Sequence, residues 1–321
     1  MEKIFRWLLH KCITYAIQSR KKLFWYYILP ILFKLDGVEL LVHPRWIYDN
    51  YGVKDCIAVS CSSTKSINLK KEDCFLKIPL TIACSNRLVK EWENLEAIKQ
   101  NETISGLFES EFEIERYENN INVLKFPVLG KVVSAEKEKW FVEYFKCILC
   151  MGTTKKAVVT EDMTAGLATL KKLVDKGCYE KIRAMINDWS QCDVSIGFTH
   201  GDLHAGNLML QNGKVVLIDP DRVDFGGVQE FDLIHLLIFY YLQNNREFWA
   251  NVLTAPDRLV GAKTTELIDL FGGKRALNDL IVKAYFVDRV GKETKYFNVG
   301  KSYDERIANS AAALFGGGSY E

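Results

Sequence analysis

The sequence lacks an excess of charge of either sign, an internal repeat, a low-complexity tract and an apolar run of bilayer length. With 42 basic side chains against 41 acidic ones, nothing in the overall balance argues for nucleic acid as a partner. The nine cysteines are odd in number and scattered, which suits reduced thiols in a cytosolic protein better than a disulfide framework. Cys147-Ile148-Leu149-Cys150 has no second pair and no histidines at finger spacing, which argues against a zinc site. The stretch from Leu23 to Phe33 is broken by Pro30 and falls short of the roughly twenty apolar residues that span a bilayer. It also lacks the small-residue cleavage site of a secretory signal. What remains is an ordinary globular composition, 48% hydrophobic and 26% charged, over 321 residues: enough for one bilobal protein or two domains, with a large core.

The chemistry is concentrated late in the chain. His200-Gly201-Asp202-Leu203-His204-Ala205-Gly206-Asn207 is followed by Asp219 at the end of the apolar run Val215-Val216-Leu217-Ile218. Phosphoryl transfer from a nucleotide needs a carboxylate for the acceptor hydroxyl's proton, and an amide oxygen plus a second carboxylate for Mg2+. The segment offers all three. Asp202 and Asn207 stand five apart, the layout of H-R-D-L-x-x-x-N, in which a metal-binding Asp ends a strand further on. Each residue alone has a plain structural reading, such as a hydrogen-bonded turn histidine. In this order they point to one chemistry.

With Gly after the first His, and a second His where protein kinases carry Lys, this segment resembles the aminoglycoside phosphotransferase / choline kinase-like superfamily. That family is built on the protein-kinase fold and mostly phosphorylates small-molecule hydroxyls. The resemblance implies an α+β, bilobal protein-kinase-like fold with a small β-rich N-lobe and a larger helical C-lobe. It casts Asp202 as the catalytic carboxylate, Asn207 and Asp219 as Mg2+ ligands, His200 as a brace for the loop and His204 as a donor to the γ-phosphate. Asp224-Phe225-Gly226 imitates the D-F-G of protein kinases, but it follows Pro220 and Arg222 in expected loop, whereas Asp219 leaves a buried strand. Asp221 is placed to touch a second metal or its water. Asp232, in Glu230-Phe231-Asp232-Leu233, is expected to open a helix and brace the catalytic loop from below. Ile218-Asp219-Pro220-Asp221-Arg222 is similar to the Ile-Asp-x-Asp-Arg stretch of bacterial lipopolysaccharide-sugar kinases.

Three regions are expected: a basic, aromatic amphipathic segment over 1–36, an N-lobe with nucleotide-binding strands and one helix over 37–145, and a helical C-lobe with catalytic loop and acceptor site over 146–321. In the N-lobe, Asp73 to Ile78 reads as a strand, and the resemblance puts Lys77 on the α- and β-phosphates. Ser85 to Glu96 reads as a capped helix, from which Glu91 would pair with Lys77, Glu93 being the alternative. The polar turn Val59-Ser60-Cys61-Ser62-Ser63-Thr64-Lys65-Ser66 takes the place of a Gly-rich loop, with Ser62 and Ser63 toward phosphate; an ordinary polar hairpin fits it equally. Trp140 to Phe145 reads as a strand joining the lobes, its Glu143 and Phe145 at the adenine, with a plain buried strand as the other reading.

The first 35 residues carry seven basic side chains and one acid, with Ile4, Phe5, Leu8, Leu9, Ile13 and Ile17 at helical spacing. Such a segment suits the headgroup layer of an anionic membrane, or packing on the small lobe, or a dimer contact. The expectation is an ATP- and Mg2+-dependent phosphotransferase acting on a hydroxyl of a small molecule or sugar, envelope or lipid-linked acceptors included. It would be cytoplasmic, with peripheral membrane contact through residues 1–35. The alternatives are a catalytically silent nucleotide-binding module tethered to membrane or partner, and an atypical protein kinase; the absence of an activation loop and A-P-E anchor argues against the latter. The acceptor itself is not legible, because acids and bases alternate from Asn244 to Ala313.

Overall fold

The computed structural model describes residues 2–62, 65–261, 264–296 and 301–316. The chain divides into two compact units, Met1–Lys131 with Leu210–Asp221, and Val132–Met209 with Arg222–Glu321.

The first unit opens with α1 (Glu2–Ser19), which buries Leu9, Ile13, Ala16 and Ile17 at helical spacing. A π-turn over Phe24–Ile28 then leads into α2 (Leu29–Leu35). Pro30 has no N–H to return to the preceding turn, and the helix is widened just before it. After α3 (Pro44–Tyr51) come β1 (Ala58–Cys61), β2 (Ser66–Lys70), β3 (Cys74–Pro79), α4 (Ile82–Lys99), β4 (Glu113–Tyr117), β5 (Ile121–Pro127) and β6 (Gly130–Lys131). The first five strands form an antiparallel sheet in the order β1-β2-β3-β5-β4.

Strand alternation gives this sheet two different faces. Val59, Ile67, Leu69, Leu76, Ile78 and Val123 join Trp25, Leu29, Phe33 and Ile47 in one buried cluster. Leu124 and Phe126, with Phe75 beside them, pack on Cys84, Leu88 and Leu95 of α4. Each fully buried aromatic or aliphatic side chain contributes on the order of 2 kcal/mol. The N-terminal helices are therefore structural: α1 lies on β1 and covers the sheet.

The second unit begins with α5 (Ser134–Met151), β7 (Thr153–Lys156), α6 (Glu161–Leu173), α7 (Lys176–Trp189) and β8 (Asp193–Thr199). Through β9 (Leu208–Gln211) the chain returns to the first unit and β10 (Lys214–Leu217), in a small sheet ordered β10-β9-β6. The second unit resumes with β11 (Asp224–Val228), α8 (Gln229–Leu242), α9 (Trp249–Val252), α10 (Thr265–Leu270), α11 (Asp279–Tyr296) and α12 (Lys301–Phe315). Its sheet runs β11-β8-β7, and α6 crosses α11 closely. A Cβ on Gly166 would come 2.0 Å from the Val287 carbonyl oxygen, and one on Gly291 would come 1.7 Å from that of Asp162.

Three local expectations are corrected. Trp140 to Phe145 is not a strand but lies inside α5, because Trp140, Phe141, Tyr144, Phe145 and Ile148 are buried at helical spacing. The expected boundary after residue 145 thus falls within a helix. The helix of 85–96 starts earlier, capped by the Thr81 side chain accepting from Cys84 N, while Ser85 is buried and donates to the Asn120 carbonyl. Asp224-Phe225-Gly226 is strand, not loop; Asp224 pairs with Thr199 and its side chain accepts from Gly226 N at 2.8 Å.

Candidate active site

In the first unit, three sequence-distant residues meet on one ammonium group. Lys77 on β3 points to the α4 face of the sheet, where its Nζ lies 2.6 Å from Glu91 Oε1 and 2.7 Å from Asp219 Oδ1. Glu91, not Glu93, is the partner: it shares the buried face of α4 with Leu88 and Leu95, whereas Glu93 is exposed. Burial opposes the Lys77 charge, yet the carboxylates of Asp219 and Glu91 outweigh it and hold its pKa above the ordinary value. Burial raises the Glu91 carboxyl to about 7 in spite of Lys77. The lysine is charged throughout; the glutamate pays in desolvation for a rigid ion pair.

Asp219 follows β10 with φ 65, a left-handed conformation that costs a non-glycine residue about 1 kcal/mol. Its turn is held from α4. Arg87 pairs with Asp221, and Asn94 Nδ2 donates to the Pro220 carbonyl at 2.7 Å. Arg87, Glu91 and Asn94 occupy one helical face, so three successive turns of α4 fix the segment 219–221. Asp221 is buried in this ion pair, which corrects the expectation that it faces a second metal. Ser62 closes the β1–β2 hairpin, its Oγ 2.7 Å from Ser66 Oγ and accepting from Ser66 N. Ser63 lies outside the described residues.

In the second unit, the catalytic-loop sequence occupies the connection from β8 to β9. Gly201 has φ +76, and a Cβ there would come 2.5 Å from the Arg222 carbonyl oxygen. Close approach of Arg222 is why Gly follows the His. Asp232, 2% exposed on α8, accepts from His200 N at 2.6 Å, Gly201 N at 2.8 Å and Tyr144 Oη at 3.0 Å. It braces the loop as expected, with α5 contributing through Tyr144. His200 is fully buried and its Nδ1 accepts from Asp202 N, so it too is a brace.

Asp202 is held on one side. His235 Nε2 lies 3.1 Å, Arg289 Nη1 3.4 Å and Arg222 Nη1 3.5 Å from the same oxygen, Oδ1. Burial opposes its charge, but the His235 hydrogen bond and the two guanidiniums hold the carboxyl well below the usual range. His235 Nδ1 lies 2.8 Å from Tyr285 Oη, which fits an imidazole protonated at Nε2. Asn207 donates through Nδ2 to the Asp202 carbonyl at 3.1 Å, which fixes the orientation of its amide. His204 stacks on Phe239 at 4.2 Å, and its Nδ1 accepts from Gly206 N, placing the proton of a neutral ring on Nε2.

His235, Arg289 and Tyr285 were missed in the sequence, because they come from α8 and α11 with no spacing that ties them to residue 202. Glu143 is exposed on α5 and pairs with Lys146 at 3.0 Å, and Phe145 is sealed in the core against Phe271. Neither stands on a strand that could present backbone groups to adenine, so that expectation is corrected.

The donors expected for magnesium are hard oxygens, the Asp219 carboxylate and the Asn207 amide, which suit that ion. Among the described residues no group of three or more His, Cys, Asp or Glu is gathered as a metal site.

Residues 160–260 match the sequence model of the phosphotransferase enzyme family, APH. No curated protein matches the chain. Solved structures similar to it include an amicoumacin kinase in complex with AMP-PNP and Ca2+, 13% identical at a TM-score of 0.50, covering 80% of this chain and 88% of that one. The ADP-bound aminoglycoside phosphotransferase APH(2'')-Ib is 13% identical at 0.51, covering 84% and 98%. The gentamicin complex of APH(2'')-IIa is 14% identical at 0.51, covering 88% and 98%. In sequence over residues 160–260, and in its α+β, kinase-like fold over most of its length, the chain resembles the aminoglycoside phosphotransferase superfamily.

Proposed function

We propose that this chain is an ATP- and Mg2+-dependent phosphotransferase that passes the γ-phosphoryl group to a hydroxyl of a small molecule or sugar. The observation that carries the reading is the Lys77 ammonium, held at once by Glu91 and by Asp219, 142 residues further on. A phosphate lysine and a metal carboxylate brought together have little use in a structural core. Nucleotides and a divalent ion in the similar structures, AMP-PNP with Ca2+ and ADP, support the same reading.

In this reading Lys77 binds the α- and β-phosphates and Glu91 keeps it extended. Asn207 and Asp219 would hold the magnesium, which neutralises charge on the transferring phosphoryl group. Asp202, with Oδ1 facing His235, Arg222 and Arg289, turns Oδ2 to the acceptor hydroxyl, orients it and accepts its proton late. Its depressed pKa fits orientation better than strong base catalysis, as a loose transition state allows. His204 donates to the γ-phosphate through Nε2. A lipid-linked or envelope-sugar acceptor, and a place on the cytoplasmic face of a membrane, form the part of the reading that leans on the N-terminal segment.

The test is transfer of label from γ-labelled ATP to separated pools of proteins, metabolites and envelope sugars. Label is expected in a small-molecule or sugar pool, lost without Mg2+ and in Asp202→Asn. Label only in protein would make this an atypical protein kinase; nucleotide binding with no transfer to any pool would leave a silent module.

A further inference from the structure

Scattered exposed apolar side chains are ordinary, but here they are concentrated. Among the described residues sixteen large apolar side chains are exposed, and eight of them fall between Phe5 and Leu35. They are not the residues that pack the sheet. Beside the buried Leu9, Ile13 and Ile17, α1 carries a second stripe, Phe5, Leu8 and Tyr15, at 54%, 49% and 66% exposure. The next helical stretch repeats the arrangement: Trp25, Leu29 and Phe33 are sealed, while Leu23, Tyr27, Ile31 and Leu35 stand outward at every fourth position. Tyr15 meets Phe24 edge-on at 5.8 Å and ties the two stretches together. A helix required only by the core has no use for a second apolar stripe.

Charge selects the occupant. Lys11, Lys21, Lys22 and Lys34 are exposed among these residues. Asp36 pairs with Lys65 at 2.7 Å, and Asp49 with Arg45 and with Tyr26 of the same segment. Among the described residues no helix is long and apolar enough to cross a membrane, so the geometry is that of a segment lying in an interface. We propose that the outward face of α1 and residues 23–35 seats the protein on an anionic bilayer, its apolar and aromatic side chains in the headgroup layer and its lysines on lipid phosphates. A second copy fits less well, because a self-complementary contact would set the same lysines against each other. The surface lies wholly in the first unit; the proposal deepens the membrane part of the proposed function and does not depend on phosphotransfer, so either can fail alone.

Co-sedimentation of the full chain with vesicles tests it, using phosphatidylcholine alone or in equal parts with phosphatidylglycerol. Binding is expected with the anionic vesicles only, weakened by added salt. Replacing Lys11, Lys21, Lys22 and Lys34 together by Gln should weaken it by about fivefold per lysine. Tyr27→Ser with Ile31→Ser and Leu35→Ser should abolish it at unchanged charge. All seven positions are exposed, and an unchanged melting temperature checks each variant; if the serine variant unfolds, the glutamine variant still decides. No binding to either vesicle, or equal binding by wild type and variants, overturns the proposal. So does a dimer, seen by sedimentation velocity, that the serine variant dissolves while no lipid is bound.

Discussion

Asp202 and His235 show how one residue's burial sets another's behaviour. Burial, then the Arg289 charge, lowers His235 to about 3 against the pull of Asp202, so it is neutral in the folded protein. In the unfolded chain it titrates near the ordinary value of about 6.5. Between these values the unfolded state binds a proton that the folded state refuses, and stability falls as pH falls, by roughly 1.4 kcal/mol per unit. His235→Asn removes that dependence. Taking both proteins from about pH 7.5 to about pH 5 should cost the wild type about 2 kcal/mol more than the variant in urea denaturation. Glu91 and Glu109, both raised to about 7 with burial as the largest cause, shift in the opposite sense and are common to both proteins, so the difference isolates His235. At the same scale, Gly201→Ala meets both a left-handed φ and the Arg222 carbonyl. It should destabilise by about 2 kcal/mol or more and depress activity further, through Asp202.

At the scale of the element, α4 acts as a registering bar. Its buried face supplies Arg87, Glu91 and Asn94 to the turn that carries Asp219, and its apolar residues Leu88 and Leu95 anchor the bar to the sheet. Asn94→Leu removes one hydrogen bond, worth about 1 kcal/mol, and frees the strained turn. The Mg2+ concentration for half-maximal activity should rise roughly tenfold, while KM for the acceptor stays put. Arg87→Met strips the guanidinium from a carboxylate that is 8% exposed, and about 3 kcal/mol of stability should go with it in denaturant melts. Equal changes in both Michaelis constants, with no shift in Mg2+ dependence, would reduce α4 to a packing element.

At the scale of the whole molecule, the N-terminal helices are inseparable from the sheet they cover. Deleting residues 1–36 would bare Val59, Ile67, Leu69, Leu76 and Ile78, and the truncated chain should be insoluble on expression. Trp25→Ala, at a fully buried site, should cost about 4 kcal/mol. A soluble, cooperatively folding truncation would show that the segment is an appendage after all. The same covering role explains why the amphipathic pattern of 1–35 supported two readings at once: the segment has one stripe for the sheet and another left over.

By itself the sequence determined what is local. The His200 to Asn207 loop is contiguous, the alternation of β3 puts Lys77 opposite Leu76 and Ile78, and the Asp-x4-Asn spacing needs no partner to be read. Tertiary structure decided what depends on facing. Glu91 and Glu93 are two residues apart, about half a helical turn, and only the sheet beneath α4 chooses between them. Trp140 to Phe145 is an apolar run that reads equally as strand or helix until neighbouring helices bury its positions at a spacing of three to four. The three side chains drawn up to Asp202 come from residues 222, 235 and 289, and no local pattern foretells their meeting, because side chains from separate elements converge only after the elements have packed.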